Sequence, residues 1–149
     1  MNYYILIASS ADDKSGNIIE GNEVASKRLD KCIWPLYNKT QNRKRIMSGD
    51  ICFIYVSGTG KNHQHIIGEV AVKSNNEIRN FVDDYYHPST PSNVLHLTNC
   101  KKYKDPICFK SILTDLSICP SNMQRWGCAL QGGCRKISED DYKKILKVT

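Results

Sequence analysis

The stretch CIWPLYNKTQNRKRIMSGD, at residues 32–50, holds side chains that can stack on a heterocyclic base and hydrogen-bond to it. Trp34 offers a flat indole, and stacking of a base on an aromatic ring contributes about 1–3 kcal/mol. Asn38 and Asn42 carry amides that can pair with the hydrogen-bonding edge of a base. A tryptophan that closes a hydrophobic core is an equally good interpretation, because aromatic side chains are usually largely buried.

Four basic side chains in the same stretch can contact phosphate groups: Lys39, Arg43, Lys44 and Arg45. The whole chain has a net charge of +6, from 21 Lys and Arg against 15 Asp and Glu. This moderate excess suits a polyanionic partner such as nucleic acid without requiring one. Because a run of charges is more often a solvated face, each of these side chains is a weak signal when taken singly.

Seven cysteines and four histidines are candidates for metal or thiol chemistry. No two cysteines have the CxxC spacing of a zinc knuckle, and no histidine stands beside a cysteine that it could activate. The paired carboxylates are adjacent in sequence and therefore point apart on a strand or helix. The sequence thus predicts reduced thiols, no metal ion, no cofactor and no hydrolytic catalytic group.

The segment SGTGKN, at residues 57–62, is similar to a phosphate-binding loop only in composition. A P-loop requires glycine, four residues and then Gly-Lys-Ser/Thr at the start of a helix. Here Asn62 replaces the hydroxyl residue, and a strand pattern follows. We interpret this segment as the turn of a hairpin.

The N-terminal segment MNYYILIASS lacks the basic region and the small-residue cleavage site of a signal peptide. No run approaches the roughly 18 apolar residues that a membrane span needs. We therefore expect a cytoplasmic protein that does not contact membranes.

Hydrophobic periodicity divides the chain into short strands and helices. Apolar runs predict strands at residues 3–9, 50–57, 65–74 and 94–103, and helical spacing predicts helices near 23–33, 40–47, 106–120 and 138–146. The two-proline segment 80–93 is typical of a long loop. We predict a single domain over residues 1–149 with an α+β fold, in which a small, mostly antiparallel β-barrel or curled sheet is flanked by short helices.

Two of the predicted helices have local start signals. Asn22 can cap the first helix. At the last helix, Ser138 and Asp141 have capping-box spacing, and Tyr142, Ile145 and Leu146 are predicted to face inward.

Several ordered motifs together resemble the EVE domain, a member of the PUA-like superfamily that also contains the YTH readers of methylated adenine. YYILIASS resembles the opening strand of that family, and CIWPLYNKTQNRKRIMSGD resembles its tryptophan-containing loop and helix. HIIGEVAV resembles the returning strand, with Gly68 at the glycine position of the family. The C-terminal block is similar too, with Trp126, a glycine turn, Arg135 and a final DYKKI helix.

The resemblance implies a PUA-like fold and a non-catalytic module that binds nucleic acid, either single-stranded or with a flipped-out, modified base. It implies an aromatic base pocket, with Trp34 as one wall, that is formed by Ser9, Ser10, Trp34, Asn38, Asn42, Tyr85 and Tyr86. Ser9 and Ser10 would form the floor, Asn42 or Asn38 would hydrogen-bond the base, and Arg135 would contact the rim or a phosphate. Trp126 is expected to pack in the core.

Two other functions stay open at this point. The PUA-like relatives of the ASCH type are linked to ribonuclease activity, for which Lys31, Lys39 or Glu69 could supply a catalytic group. The cysteines could instead serve a small-molecule or metal-linked sensor.

Overall fold

The computed structural model describes residues 1–13, 15–78 and 91–149, and its centre is a curled six-stranded sheet. The strands of this sheet are β1 (Tyr3–Ala8), β4 (Ile33–Tyr37), β5 (Ile51–Val56), β6 (His65–Glu77), β7 (Pro91–Cys108) and β8 (Cys134–Ile137). Two short strands, β2 (Ala11–Asp12) and β3 (Ile18–Ile19), pair with each other. The helices are α1 (Gly21–Lys31), α2 (Phe109–Leu113) and α3 (Glu139–Leu146), with a 3-10 helix at Met123–Leu130.

The strand order in the sheet is β4-β7-β6-β5-β1-β8. β1 and β5 are parallel, and the other four pairs are antiparallel. In the described part of the chain the outermost strands, β4 and β8, do not pair with each other, so the sheet forms a half-barrel. The prediction of an α+β fold with a mostly antiparallel, curled sheet and short helices is confirmed.

Both faces of the sheet are covered, and side chains along a strand alternate between the faces. One face carries Leu6 and Trp34 and is covered by α1; we call its buried side chains the inner core. The opposite face carries Ile5 and Phe53 and is covered by α2, the 3-10 helix and α3; we call its buried side chains the outer core. Because β1 is buried on both faces, its sequence is apolar throughout rather than alternating.

The segment that contains Trp34 is a strand, which corrects the expectation of a tryptophan-containing loop there. Residues 33–37 form β4 and pair with β7, with Trp34 opposite Leu95. β4 is an edge strand, where Pro35 is tolerated because no second neighbour needs its missing N–H.

The helix predicted near residues 40–47 is wrong. The segment is a series of turns in which Asn42 has a left-handed backbone with φ of 60°. The amide groups of Arg45 and Ile46 both donate to the carbonyl oxygen of Asn42, at 2.9 and 3.2 Å. A left-handed residue interrupts a right-handed helix, so only this single turn forms.

The remaining helices largely follow the predicted pattern. The predicted cap of α1 differs, since Glu20 occupies the N-cap position and Asn22 instead accepts a hydrogen bond from Asn62. The predicted helix at 106–120 is shorter, because β7 continues to Cys108 and α2 covers only five residues. At α3 the predicted cap is confirmed, with the Ser138 hydroxyl accepting from the Asp141 amide at 3.1 Å.

Two predictions about side-chain packing have different outcomes. Trp126 packs on the outer core as expected, with its ring centroid 6.5 Å from that of Phe109. Leu146 was predicted to face inward but is 39% exposed, whereas Ile145 is fully buried.

Candidate functional site

The ends of the two parallel strands place Ser9 beside Ser57. Ser9 and Ser10 follow β1 and are exposed, and the Ser9 hydroxyl lies 3.0 Å from that of Ser57, which follows β5. The amide and the hydroxyl of Ser57 both donate to the Ala8 carbonyl oxygen, at 2.9 and 3.2 Å. These contacts leave a pair of exposed hydroxyl groups at one end of the half-barrel.

Helix α1 begins directly above these strand ends. A Cβ atom at Gly21 would lie 2.9 Å from the Ala8 carbonyl oxygen, so glycine permits this close approach. The loop predicted as a hairpin turn joins β5 to β6, and the Lys61 amide donates to the Glu20 carboxylate at 3.2 Å. The loop therefore holds the start of α1 and is a turn, as expected.

Trp34 lies on the inner face and is 2% exposed. The guanidinium carbon of Arg28 lies 5.0 Å from the centroid of the Trp34 ring. This distance is within the range of a cation–π interaction, which strengthens when the pair is shielded from water. The indole is thus a core side chain that also has a buried cation on its ring.

Arg28 is a site residue that the sequence prediction missed. Its side chain is only 7% exposed, and Nη2 donates to the Tyr37 hydroxyl at 3.2 Å. The signal was present in the sequence, because Arg28 follows Val24 and Ala25 by four and three positions and thus shares their buried helical face. Gly21 and Arg28 are seven residues apart in α1, so they lie about 10 Å apart along the helix axis.

Asn42 connects the two edges of the half-barrel. Its Nδ2 donates to the Cys134 carbonyl oxygen on β8 at 3.4 Å, and the neighbouring Gln41 amide donates to Gly132 at 3.0 Å. Burial raises the pKa of the Cys134 thiol to about 12, and a hydrogen bond with the Asn42 side chain opposes this rise. Asn38, the alternative amide, follows β4 and is exposed.

A second amide pair, which the sequence prediction missed, fixes the turns after Asn42. Asn75 on β6 donates through Nδ2 to the carbonyl oxygens of Arg43 and Ile46, at 2.8 and 2.7 Å. Its Oδ1 accepts from Asn93 on β7 at 3.1 Å, and Asn93 is 5% exposed. The basic segment is therefore attached to the sheet through side-chain amides.

The basic residues predicted to bind phosphate are mostly on the surface of this turn segment. Lys39, Lys44 and Arg45 are exposed, and Arg43 is half-buried. An open groove of ≈ 480 Å³ runs between this segment and β6; it is lined by Lys44, Ile46, Met47, Ser48, Lys73, Ser74, Asn75, Glu77 and Asn93. Lys73, which the sequence prediction did not include, therefore lies on the same groove as Lys44.

A second groove of ≈ 460 Å³ shares Lys73 and Ser74 with the first and also has Lys31, Cys32 and His96 in its lining. The shared residues make the two grooves neighbours on the same corner of the sheet. Together they carry three lysines and one carboxylate, Glu77. The lining of this corner is therefore net positive.

Other predicted site residues do not lie at this corner of the sheet. Arg135 pairs with Ile5 and lies between Cys134 of the inner core and Lys136, so strand alternation puts it on the outer face, opposite Trp34. Tyr85 and Tyr86 lie outside the described residues.

The residues named for catalysis or metal binding are also dispersed. Glu69 accepts a hydrogen bond from the Tyr142 hydroxyl at 2.7 Å, on the outer face where it pairs with Phe53. Lys31 lies at the end of α1, and Lys39 lies in the turns after β4. Among the described residues no group of three or more His, Cys, Asp or Glu could hold a metal ion. In that same part of the chain, no helix has the length and apolar character needed to cross a membrane.

Comparison with solved structures shows the fold. A protein from Pseudomonas syringae matches with a TM-score of 0.63 at 14% identity, covering 98% of each chain. ASCH from Zymomonas mobilis matches with a TM-score of 0.60 at 10% identity, over 99% of this chain and 96% of that one. Human THYN1, in complex with DNA containing 5-methylcytosine, matches with a TM-score of 0.60 at 11% identity, over 99% and 97%. The fold is therefore PUA-like.

Comparison with curated proteins finds no significant match. The family model that describes the EVE domain matches residues 15–148. This match extends over nearly the whole chain and includes α1, β4 and the turns after it. The chain belongs to the EVE domain family.

Proposed function

We propose that this protein is a non-catalytic nucleic-acid-binding module that recognises a modified, flipped-out base. Membership of the EVE domain family supports nucleic-acid binding, as does the similarity in fold to THYN1, a protein solved with methylcytosine-containing DNA. The observation that carries the proposal is the Arg28 guanidinium over the Trp34 ring at the inner face. An indole ring and a guanidinium plane both stack on nucleic-acid bases.

Recognition requires an opening motion at α1. Because Trp34 is 2% exposed, a base can reach the indole only after a neighbouring group moves. Arg28 is the group on its ring, and its departure would exchange one stacked, flat cation for a stacked base. The exchange offsets part of the few kcal/mol that unstacking a base from nucleic acid costs.

Phosphate groups would follow the corner of the sheet that carries Lys44 and Lys73 on a common groove. Lys39, Arg43 and Arg45 lie in the adjacent turns and would add contacts to the backbone. These contacts are independent of base identity and weaken as salt rises. Discrimination of one methyl group would come from the fit around Trp34 and should amount to about 1–3 kcal/mol.

The two tryptophans allow a direct test. Trp126→Phe leaves Trp34 as the sole indole, and Trp34→Phe leaves Trp126 as the matched control on the outer face. Short single-stranded DNA and RNA carrying cytosine, 5-methylcytosine, adenine or N6-methyladenine are titrated into each variant at low salt. We expect quenching of indole fluorescence in Trp126→Phe with at least one modified strand, and at least tenfold weaker binding in Trp34→Phe.

The proposal is wrong if every strand fails to bind below millimolar concentration at low salt. Binding that is equal in Trp34→Phe and wild type would also contradict it, because Trp34 would then have no part in recognition. Circular dichroism of both variants checks that the fold is retained.

The salt dependence of affinity tests the proposed path of the phosphates. We expect Lys44→Gln and Lys73→Gln each to lower the slope of log K against log salt by about 1. Lys110→Gln, an exposed lysine on α2, is the control and should leave the slope unchanged. Equal slopes in all three variants would place the phosphates on another surface.

A further inference from the structure

We infer that Cys32 and Cys100 form a site of reversible oxidation, at which a peroxide converts the two thiols into an intramolecular disulfide. Their Sγ atoms lie 3.6 Å apart although the residues are 68 positions apart in sequence. A disulfide has an S–S distance of about 2.05 Å, so side-chain rotation has to close only a short gap. Cys32 lines the second groove, but the proposed contacts with nucleic acid use the basic side chains and not this thiol.

The backbone around the pair brings the two sulfur atoms together. Cys32 ends α1 in a left-handed conformation, with φ of 56°, and its carbonyl oxygen accepts from the Leu97 amide at 2.8 Å. Cys100 lies on β7, three residues after Leu97. The residue before it, Asn99, is also left-handed, with φ of 51°. A disulfide here would join the end of α1 directly to the sheet.

The two thiols differ in their access to solvent. Cys32 is exposed, whereas Cys100 is half-buried against the inner core. Burial, followed by its hydrogen bond to Cys32, raises the pKa of the Cys100 thiol to about 11. Because Cys32 is exposed, it is the thiol of the pair that a peroxide in solution reaches first.

These properties assign an order to the chemistry. The Cys32 thiolate attacks one oxygen of hydrogen peroxide, the O–O bond breaks, and a sulfenic acid and one water form after protonation. The Cys100 sulfur then attacks the sulfenic sulfur and displaces its hydroxyl group. The Cys100 thiol proton joins this hydroxyl group, and the second water leaves. In total, two thiols are oxidised to one disulfide while one peroxide is reduced to two waters; a dithiol reductant reverses the change.

The remaining cysteines provide matched controls. Cys52 and Cys134 are buried, and Cys108 and Cys128 are exposed. Cys119 has its Sγ 3.5 Å from the sulfur of Met123. Cys108→Ser therefore removes an exposed thiol without touching the pair.

The experiment treats the full chain with substoichiometric to equimolar hydrogen peroxide, blocks free thiols with iodoacetamide and maps unreduced peptides by mass spectrometry. We expect a Cys32–Cys100 linked peptide in wild type and in Cys108→Ser, its loss after dithiothreitol, and its absence in Cys32→Ser and Cys100→Ser. A dimedone adduct should accumulate on Cys32 in Cys100→Ser, whereas Cys100 in Cys32→Ser should stay unlabelled.

The thermal stability of the oxidised chain is a second readout. Closure of a long loop restricts the unfolded chain, so Tm should rise by roughly 5–15 °C in oxidised wild type but not in oxidised Cys100→Ser. The inference is overturned if peroxide gives mainly intermolecular dimers, or sulfinic acid on Cys32 without the linked peptide. Equal dimedone labelling of both cysteines in the single variants would contradict the assigned order.

Discussion

The inner and outer faces of the sheet are both buried, but they differ in the polar groups that they enclose. The buried Arg28 and Asn93 are on the inner side, where Arg28 contacts Trp34 and Asn93 contacts Asn75. On the outer side the buried charged residue is Asp141, which accepts bonds from the Ser117 amide and hydroxyl at the start of α3. The outer carboxylate accepts hydrogen bonds near the start of α3, whereas on the inner side a buried cation lies on a tryptophan ring.

This difference shows which region is specialised. Burial of polar groups is unfavourable unless each is hydrogen-bonded, so an apolar core is the simpler means of stabilising a fold. The outer face follows that rule, with Phe53, Phe109 and Trp126 packed under short helices. On the inner face, the chain places a guanidinium where an aliphatic side chain would suffice for stability. This buried cation is the feature of the inner face on which the proposed function rests.

The largest expected effect contrasts the two tryptophans. Trp34→Ala should lower the free energy of unfolding by about 3–5 kcal/mol, because it leaves a cavity in a fully packed core. Trp126→Ala should lower it by about 1–2 kcal/mol, because that ring is only half-buried. Urea unfolding followed by circular dichroism measures both. Similar losses in the two variants would remove the distinction between the faces.

The next contrast is between two buried carboxylates. Asp50 accepts from the amides of Asn2 and Met47, at 2.9 and 3.0 Å, and Asp141 accepts from Ser117. Asp50→Ala and Asp141→Ala should each lower the free energy of unfolding by about 2–4 kcal/mol, since part-buried amide donors lose a charged partner. A loss below about 1 kcal/mol at Asp50, with a large loss at Asp141, would mean that the loop before β5 is not held by this carboxylate.

Alkaline pH should weaken both faces through their tyrosines. Burial, helped by the charge of Asp50, raises the pKa of Tyr4 to about 12. Burial and a hydrogen bond to Glu69 raise the pKa of Tyr142 to about 12. A raised native pKa means that the unfolded chain loses its proton first, so stability is full below about pH 10 and falls towards pH 12.

The urea midpoint measured from pH 9 to pH 12 checks this dependence. Tyr4→Phe should make the fall of the urea midpoint smaller by removing the contribution of the inner face. Tyr142→Phe should make it smaller by removing that of the outer face. A midpoint that rises with pH over this range would contradict the expected sign.

The smallest effect is expected for the ion pair that joins α1 to β7. Lys102 lies 2.6 Å from Asp30, and their side chains are 47% and 65% exposed. Exposed pairs contribute little, so Asp30→Asn should lower the free energy of unfolding by about 0.5 kcal/mol or less. A loss above 1 kcal/mol, measured by urea unfolding at 0.1 M salt, would show that α1 is held by charge as much as by its inner-core contacts.

Most of the features that the predictions missed depend on contacts between residues that are far apart in the sequence. The strands at 3–9, 50–57 and 65–74 were predictable because runs of apolar, β-branched residues have few other uses. The helix near 40–47 was wrong because its amide and carbonyl groups bond to Asn75 and Gly132, which local periodicity cannot indicate. For Arg28, the helical spacing from Val24 and Ala25 did indicate burial, but its contact with Trp34 on the next element could not be predicted from local periodicity.

The amino-acid sequence by itself determined the class of the fold, the places of its main strands, the cap of α3 and the family to which the chain belongs. These follow from local patterns of side-chain size, polarity and hydrogen bonding within a few residues. Only the tertiary structure decided that Trp34 is enclosed beside Arg28, that Arg135 faces the opposite side of the sheet, and that Cys32 meets Cys100. Such contacts depend on strand register and on how α1 lies across the sheet, and both are set by the packing of residues far apart in the chain.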